Sequence, residues 1–122
     1  MGNYKGVIIK ESLENKDVFN KIHVLKTETE IVTEEYKTPW LKKWTICTVE
    51  IPEEKADSIA EELSNALDSK HNWYADFKNK KNHYVIFRKK IFKINRKNKE
   101  EYEKAKVYGI SLGIPSYQVD FY

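Results

Sequence analysis

Cysteine and glycine are scarce in this chain, and their scarcity excludes several kinds of site. Cys47 is the only cysteine among 122 residues, so an internal disulfide and a cysteine-based zinc site are excluded. The four glycines, at positions 2, 6, 109 and 113, leave no room for a Walker loop or a dinucleotide-binding fingerprint. The single cysteine fits a reducing compartment, and we expect a cytoplasmic protein.

Long apolar runs are also missing. No stretch approaches the ~20 apolar residues that cross a bilayer, and the apolar run near the first residue is too short for a signal peptide. We therefore expect no membrane partner. The length and the hydrophobic content of 40% are typical of one folded domain, which we predict over residues 1–122.

The segment from Lys78 to Lys99 contains no acidic residue. It carries ten basic residues, whereas the net charge of the whole chain is only +3. Acidic residues are concentrated instead between positions 28 and 35 and between positions 50 and 68. This asymmetry is the strongest compositional signal for an anionic partner. However, the chain has 20 lysines and only two arginines, so part of the signal reflects a general bias toward lysine.

Two segments have the pattern of amphipathic helices. Pro52 opens the first, with acidic residues in its first turns, where the helix dipole favours negative charge. Its apolar residues follow helical spacing: Ala56, Ile59, Ala60, Leu63, Ala66 and Leu67. Asn98 caps the second, with Glu101 in the capping-box position. Gly109 or Gly113 ends that helix, and Pro115 prevents its continuation.

Extended segments surround these helices. Residues 4–10 and 22–33 have the pattern of strands, the second half-buried, and residues 44–51 are apolar on both faces, as in an interior strand. Residues 71–78 have the pattern of a strand, and "NKKN" has that of a turn. Residues 83–95 form either one long strand or, as we favour, two short strands around Arg88, Lys89 and Lys90, and residues 116–122 form a last extended piece.

From Trp44 onward this order predicts a ferredoxin-like βαββαβ arrangement with extra N-terminal strands. The class is α+β, with two helices on one face of an antiparallel sheet. A less regular α+β sheet with the same placement of helices is the alternative.

Residues with catalytic chemistry are scattered. His71 and Asp76 lie five positions apart on one strand, so their side chains point to opposite faces. His71 meets His83 only if their strands pair across "NKKN". No nucleophile motif surrounds any serine, and Cys47 lies among apolar neighbours. An enzyme with a site around His71, Asp76 and His83 is therefore an alternative only, and we predict neither a metal nor a cofactor.

Tryptophan marks a candidate ligand site. Trp40 follows Pro39 in a loop, where a large ring needs either a binding role or a place in the core. A pocket over the sheet or a dimer interface would supply such a role. The candidate ligand-binding residues are Trp40, Trp44, His71, Trp73, Asp76 and His83.

Aromatic residues alternate with the basic ones between positions 78 and 99, which raises a second candidate function. Single-strand RNA readers stack bases on such rings and bind phosphates with cations, and Tyr84, Phe87 and Phe92 are the rings available for stacking. The RNP1 pattern is absent, however. The basic residues in this alternative are Lys80, Lys81, Arg88, Lys89, Lys90, Lys93 and Arg96.

Four runs of the chain, "YKGVIIKESL", "KTPWLKKWTICTVEIPEEKADSIAEELSNALD", "HNWYADFKN" and "GISLGIP", together resemble a small family of conserved microbial proteins without assigned function. The resemblance covers nearly the whole chain, and it implies a stand-alone cytoplasmic domain. It carries no catalytic motif and assigns no role to any residue.

Taken together, these patterns predict a protein that acts by binding. The partner is either a small ligand or a second copy of the chain, which would form a homodimer through the sheet. RNA is the less favoured partner, and an enzyme is the third hypothesis.

Overall fold

A computed structural model describes residues 2–31, 43–68 and 73–114. These residues form six strands and two helices, in an α+β arrangement that agrees with the predicted class. The strands are β1 (Tyr4–Ile9), β2 (His23–Ile31), β3 (Lys43–Ile51), β4 (Tyr74–Lys78), β5 (Asn82–Phe87) and β6 (Lys90–Asn95). The helices are α1 (Ala56–Ala66) and α2 (Lys99–Ser111). Short 3-10 turns lie at residues 10–12, 17–20 and 53–55.

The six strands form one sheet in the order β2-β3-β1-β4-β5-β6. Every neighbouring pair is antiparallel. Because β1 lies between β3 and β4 and is antiparallel to both, β3 and β4 run parallel to each other, and α1 connects them. The N-terminal strand therefore occupies the middle of the sheet and joins the first half of the chain to the second.

Helix α1 packs on one face of this sheet. All six apolar positions of the predicted stripe are buried, so the prediction from helical spacing is confirmed. They join one core cluster with Tyr4 and Ile8 of β1, Val49 of β3, and Phe77 and Tyr84 of the next two strands. The large ring residues of this cluster pack edge to face or stacked, with centroids about 5 Å apart.

Helix α2 begins as the sequence predicts. The side chain of Asn98 accepts a hydrogen bond from the backbone N–H of Glu101 at 3.2 Å. The Glu101 carboxylate accepts instead from the backbone N–H of Asn95 at 2.8 Å, three residues before the cap, so the second bond of the predicted capping box is not formed. Gly113 adopts a positive φ of 93° just after the helix, which is the conformation predicted for its C-terminal end.

The two helices lie on opposite faces of the sheet, so the prediction that they share one face is corrected. On β5, Tyr84 and Ile86 belong to the core cluster of α1, whereas Val85 and Phe87 belong to a second cluster with α2. Successive residues of a strand point to opposite faces. Residues 83–87 are all buried for this reason, since each face of β5 has its own helix. The ferredoxin-like arrangement is not confirmed, and the sheet has more strands than that fold.

Strand β2 differs from its predicted burial. All nine of its residues are exposed, although an alternating half-buried strand was expected. β2 is the edge strand beside β3. Its apolar residues are exposed because α1 packs on the middle of the sheet and does not reach over β2. Ile31 is 79% exposed. The alternation of polar and apolar residues correctly predicted a strand, but burial depended on the position of the helix.

Several other local predictions are confirmed. β3 pairs on both sides, as an interior strand does, and residues 83–95 form two strands around a turn at Arg88 and Lys89. Residues 74–78 form β4. The extended piece predicted for residues 116–122 lies outside the described residues. Within the described ranges, no helix has the length and apolar character needed to span a bilayer.

Candidate functional site

The six candidate ligand-binding residues do not converge on one site. Trp40 and His71 lie outside the described residues. Trp44 and Trp73 contact each other, with ring centroids 5.6 Å apart and an angle of 62°, and they pack against the core on the α1 side. Asp76 and His83 lie on the other face, beneath α2. The structure therefore divides the described members into an aromatic pair and a polar pair.

The polar pair extends into a chain of three side chains. His83 Nε2 lies 2.7 Å from Asp76 Oδ2, and His83 Nδ1 lies 2.9 Å from the Tyr102 hydroxyl of α2. A carboxylate only accepts hydrogen bonds, so Nε2 is the donor to Asp76. In the neutral ring Nδ1 then accepts from Tyr102. Burial raises the pKa of Tyr102, and a hydrogen bond from Arg96 opposes this effect.

This chain connects elements rather than presenting a reactive group. His83 is 1% exposed and both ring nitrogens have protein partners. Asp76 belongs to β4, His83 to β5 and Tyr102 to α2, so the hydrogen bonds tie the helix to two strands. Buried polar groups with satisfied partners are typical of a structural network. The geometry gives the pair a structural role and offers little support for acid-base chemistry there.

The basic segment divides between the two ends of the β5–β6 hairpin. At one end, Arg88 Nη1 donates to the carbonyl of Leu67 at 2.5 Å, just past the end of α1. Lys89 adopts a positive φ of 59° in the turn, and its ammonium donates to the Asn65 side chain at 2.8 Å. Cations at the C-terminal end of a helix satisfy its last carbonyls. Two of the predicted nucleic-acid-binding residues thus have local structural partners.

Five other cations of the segment, together with Lys5, lie around a cleft at the opposite end of the hairpin, whereas the ammonium of Lys90 lies 5.3 Å from the ring centroid of Phe92. We call this feature the basic cleft; its volume is about 750 Å³. The cations come from the start of β1, the β4–β5 turn and the end of β6, and α1 contributes two carboxylates. The charged residues that line it are Lys5, Lys78, Lys80, Lys81, Lys93, Arg96, Glu53 and Asp57. Six positive groups therefore face two negative ones.

Hydrogen bonds hold the β4–β5 turn in position beside the cleft. The Asn79 side-chain oxygen accepts from the backbone N–H groups of Lys81 and Asn82 at 2.9 and 2.8 Å. Arg96 Nη1 donates to the Asn79 carbonyl at 2.7 Å, and the Arg96 backbone N–H donates to the Lys81 carbonyl at 3.0 Å. Asn79 Nδ2 also donates to the Gly2 carbonyl at 2.8 Å. The lysines of this turn therefore extend from a backbone that these hydrogen bonds hold in place.

One carboxylate of the cleft is already engaged. Asp57 accepts a hydrogen bond from the Tyr84 hydroxyl, and Lys93 Nζ lies 3.7 Å from the same carboxylate. Burial and the bond to Asp57 raise the pKa of Tyr84 above its ordinary range, so this phenol stays protonated at neutral pH. Among the described residues, Lys5, Lys78, Lys80 and Lys81 have no ion-pair partner. Glu53 is in none of these ion pairs either, so the unpaired charge of the cleft is positive on balance.

Aromatic rings of the basic segment are unavailable for stacking on bases. Tyr84 is 2% exposed and Phe87 is fully buried. Phe92 is half-buried against Tyr108 of α2, at a centroid distance of 5.6 Å. These rings form the core on the two faces of β5. A nucleic acid would have to rely on phosphate contacts alone.

Sequence reasoning did not identify three of the eight charged residues that line this cleft. Lys5 lies more than seventy residues before the turn, and Glu53 and Asp57 were interpreted only as favourable charges at a helix start. Long-range pairing places Lys5 in the cleft, because it pairs directly with Lys78 across β1 and β4. The acid-free segment from Lys78 to Lys99 was the local signal, and it contains the other five.

In the part of the chain that the structure describes, no cluster of three or more His, Cys, Asp or Glu side chains is arranged to hold a metal ion. No family model, curated protein or solved structure matches the chain at a significant level. The family membership suggested by the four sequence runs stays a prediction.

Proposed function

We propose that the protein binds a small anionic ligand in the basic cleft. The observation that carries this proposal is the convergence of six cations from three separate segments on one concave site, against two carboxylates. Separate segments of a chain do not place like charges together for stability, because these charges repel one another. An anion in the cleft would relieve that repulsion.

The size and rigidity of the cleft favour a small molecule. Sites for small ligands are clefts of about 300–1,000 Å³ that are largely formed before binding, and the volume of about 750 Å³ falls in this range. The hydrogen bonds of Asn79 hold the β4–β5 turn in place, so Lys80 and Lys81 are positioned before a ligand binds. RNA is less well supported, because the cations are divided between the two ends of the hairpin and the rings are in the core.

Pyrophosphate is a suitable first probe for this proposal. We expect calorimetry at low ionic strength to detect binding that weakens as salt is added, because the contacts are ionic. The double variant K80A/K81A should bind pyrophosphate at least about tenfold more weakly, since it removes two unpaired cations from the cleft. The matched control K104A/K106A removes two lysines of α2 that do not line the cleft, and it should bind as the parent protein does.

Two results would count against the anion site. One is the absence of measurable pyrophosphate binding at low ionic strength. The other is equal weakening in both double variants, which would mean that overall charge, and not the cleft, attracts the anion. Circular dichroism of both variants establishes that neither has unfolded.

A second proposal is a homodimer that forms through an open face of the sheet. This open face lies on the same side as α2, but on the half of the sheet that α2 does not cover. Val7 is 42% exposed there, and Ile9, Ile46 and Thr48 are half-buried. The open face consists of Lys5, Val7 and Ile9 of β1, Ile46, Thr48 and Glu50 of β3, and Lys26 and Glu28 of β2.

The charges on the open face are complementary to a second copy of the same face. A two-fold axis parallel to the strands, between β1 and β3, places each β1 residue over its β3 pairing partner in the other copy. Lys5 then faces Glu50 of the second copy, and Ile9 faces Ile46. Opposite charges and apolar groups coincide, as a self-complementary interface requires.

Sedimentation of charge variants tests the dimer. We expect the parent chain to associate as its concentration rises, and K5E to remain a 14.5 kDa monomer because two glutamates would then face each other. The swapped variant K5E/E50K should restore association. Monomeric behaviour of the parent chain at high concentration, or failure of the swap to rescue K5E, would remove this proposal.

Two further expectations stay proposals. A cytoplasmic location is supported by the free thiol of Cys47, which is buried in the core cluster of α1. An enzyme around His71, Asp76 and His83 has weaker support, because His83 is buried and hydrogen bonded at both ring nitrogens.

A further inference from the structure

We infer, on the basis of the proposed anion site, that the ligand of the basic cleft is a multiply phosphorylated molecule whose recognition involves no aromatic ring. Three features of the described residues support this chemical class. They are the type of cation, the burial of the rings, and the distribution of charge around the cleft.

Lysine supplies almost all the positive charge of the cleft. Lysine ammonium groups act as point charges with rotatable donors and suit the tetrahedral oxygens of a phosphoryl group, which point in several directions, whereas planar, bidentate pairing with a carboxylate or a phosphate is characteristic of arginine. Arg96 is the only arginine that lines the cleft, and its Nη1 donates to the Asn79 carbonyl. The guanidinium of Arg96, the group best suited to a planar carboxylate, therefore already uses one of its donors within the protein. This composition favours phosphoryl groups over carboxylates.

Among the described residues, the cleft offers no ring on which a base or another aromatic group can stack. Tyr4 and Tyr84 are the only aromatic lining residues within the described ranges, and each is 2% exposed. Both rings pack within the core, against each other and against Phe77. Stacking on exposed rings is the usual means of holding a base without sequence preference. Because that means is missing, a nucleoside part should add little to the binding of its phosphates.

The cations approach the cleft from separate sides. Lys5 belongs to β1, Lys80 and Lys81 to the β4–β5 turn, and Lys93 to β6. A single phosphate contacts only some of these groups, whereas a chain or a pair of phosphates reaches cations from several segments. Glu53 and Asp57 on the α1 side repel phosphate, so the phosphates should lie toward the turn. A ligand with several phosphoryl groups matches this distribution best.

Three probes of high negative charge separate these features: inorganic tripolyphosphate, ATP without added metal, and citrate. In calorimetry on the full chain at low ionic strength, tripolyphosphate and ATP should bind within about threefold of each other, because the base finds no partner. Citrate should bind at least about tenfold more weakly. K80A/K81A should weaken tripolyphosphate and ATP to the same extent, whereas K104A/K106A should leave both unchanged.

Each alternative result has one meaning. ATP binding more than about tenfold tighter than tripolyphosphate would overturn the inference, since the nucleoside would then be recognised. Citrate binding as tightly as tripolyphosphate would overturn the preference for phosphate and leave the anion site intact. Failure of all three probes to bind would overturn both the inference and the proposed function on which it rests.

Discussion

Replacing His83 with alanine should lower the free energy of unfolding by about 4 kcal/mol. The imidazole is 1% exposed and fills space between the sheet and α2, so its removal leaves a cavity; large-to-small changes in a core cost about 2–5 kcal/mol. The change also deprives the Tyr102 hydroxyl and the Asp76 carboxylate of their shared partner. Tyr102 also has a hydrogen bond from Arg96, so its hydroxyl loses one of two partners, and a typical hydrogen bond contributes about 0.5–1.5 kcal/mol.

Urea denaturation followed by circular dichroism measures this loss. His23 provides the matched control, because it is also a histidine on a strand but is exposed, and H23A should change stability by less than about 0.5 kcal/mol. The variant Y102F keeps the ring and removes only the hydroxyl, so it should cost about 1–3 kcal/mol. If H83A were as stable as H23A, the hydrogen bonds of His83 would not stabilise the packing of α2 on the sheet. A catalytic role for His83 would then be the better explanation of its position.

Replacing Gly6 with alanine is expected to destabilise the protein by about 3 kcal/mol. Gly6 lies on the central strand, where it pairs with Val49 of β3 and with Phe77 of β4. A Cβ atom at this position would lie 2.5 Å from the Cβ of Phe77 and closer still to the carbonyl oxygen of Asp76. A backbone oxygen in a paired strand cannot rotate away, so the strands would have to separate. Overpacking of this kind costs about 1–3 kcal/mol.

Val7, the next residue of the same strand, is the control for Gly6. It is 42% exposed on the open face, and V7A should cost less than about 1 kcal/mol. Thermal denaturation of the two variants under identical conditions gives the comparison. Equal stability of G6A and the parent protein would show that β1 and β4 do not approach each other as closely as this pairing requires. The central position of β1 would then be in question.

Val7 also belongs to the open face through which we propose that the dimer forms, so V7A could change association as well as stability. V7A should be measured at a protein concentration at which the parent chain is monomeric. Otherwise association would add stability to the parent alone, since a partner that binds only the folded state stabilises it by mass action.

Local features of the fold were predictable from sequence because neighbours along the chain decide them. The apolar stripe of α1, the Asn98 cap of α2 and the turn between β5 and β6 depend on residues within a few positions of one another. Alternation along residues 71–78 likewise predicts that Trp73, Ala75 and Phe77 share one face, and all three are buried. Helical and strand periodicity carry this information directly.

The placement of helices was not predictable in the same way. An apolar stripe indicates that a helix packs on something, but it does not indicate which face of a sheet it covers. The run of buried residues from His83 to Phe87 signalled a strand covered on both faces. The prediction placed both helices on one face of the sheet, so the second layer was overlooked.

The sequence alone determined the class of the protein: an α+β domain with two amphipathic helices, many lysines and no acidic residue from position 78 to 99. Tertiary structure decided where those charges lie, since it placed Arg88 and Lys89 at the end of α1 and brought Lys5 beside Lys78. It also placed the buried His83 ring between Asp76 and Tyr102, with a hydrogen bond to each. Periodicity depends on neighbours in the chain, whereas a cleft depends on strands that pair across seventy residues, and only the folded chain establishes that pairing.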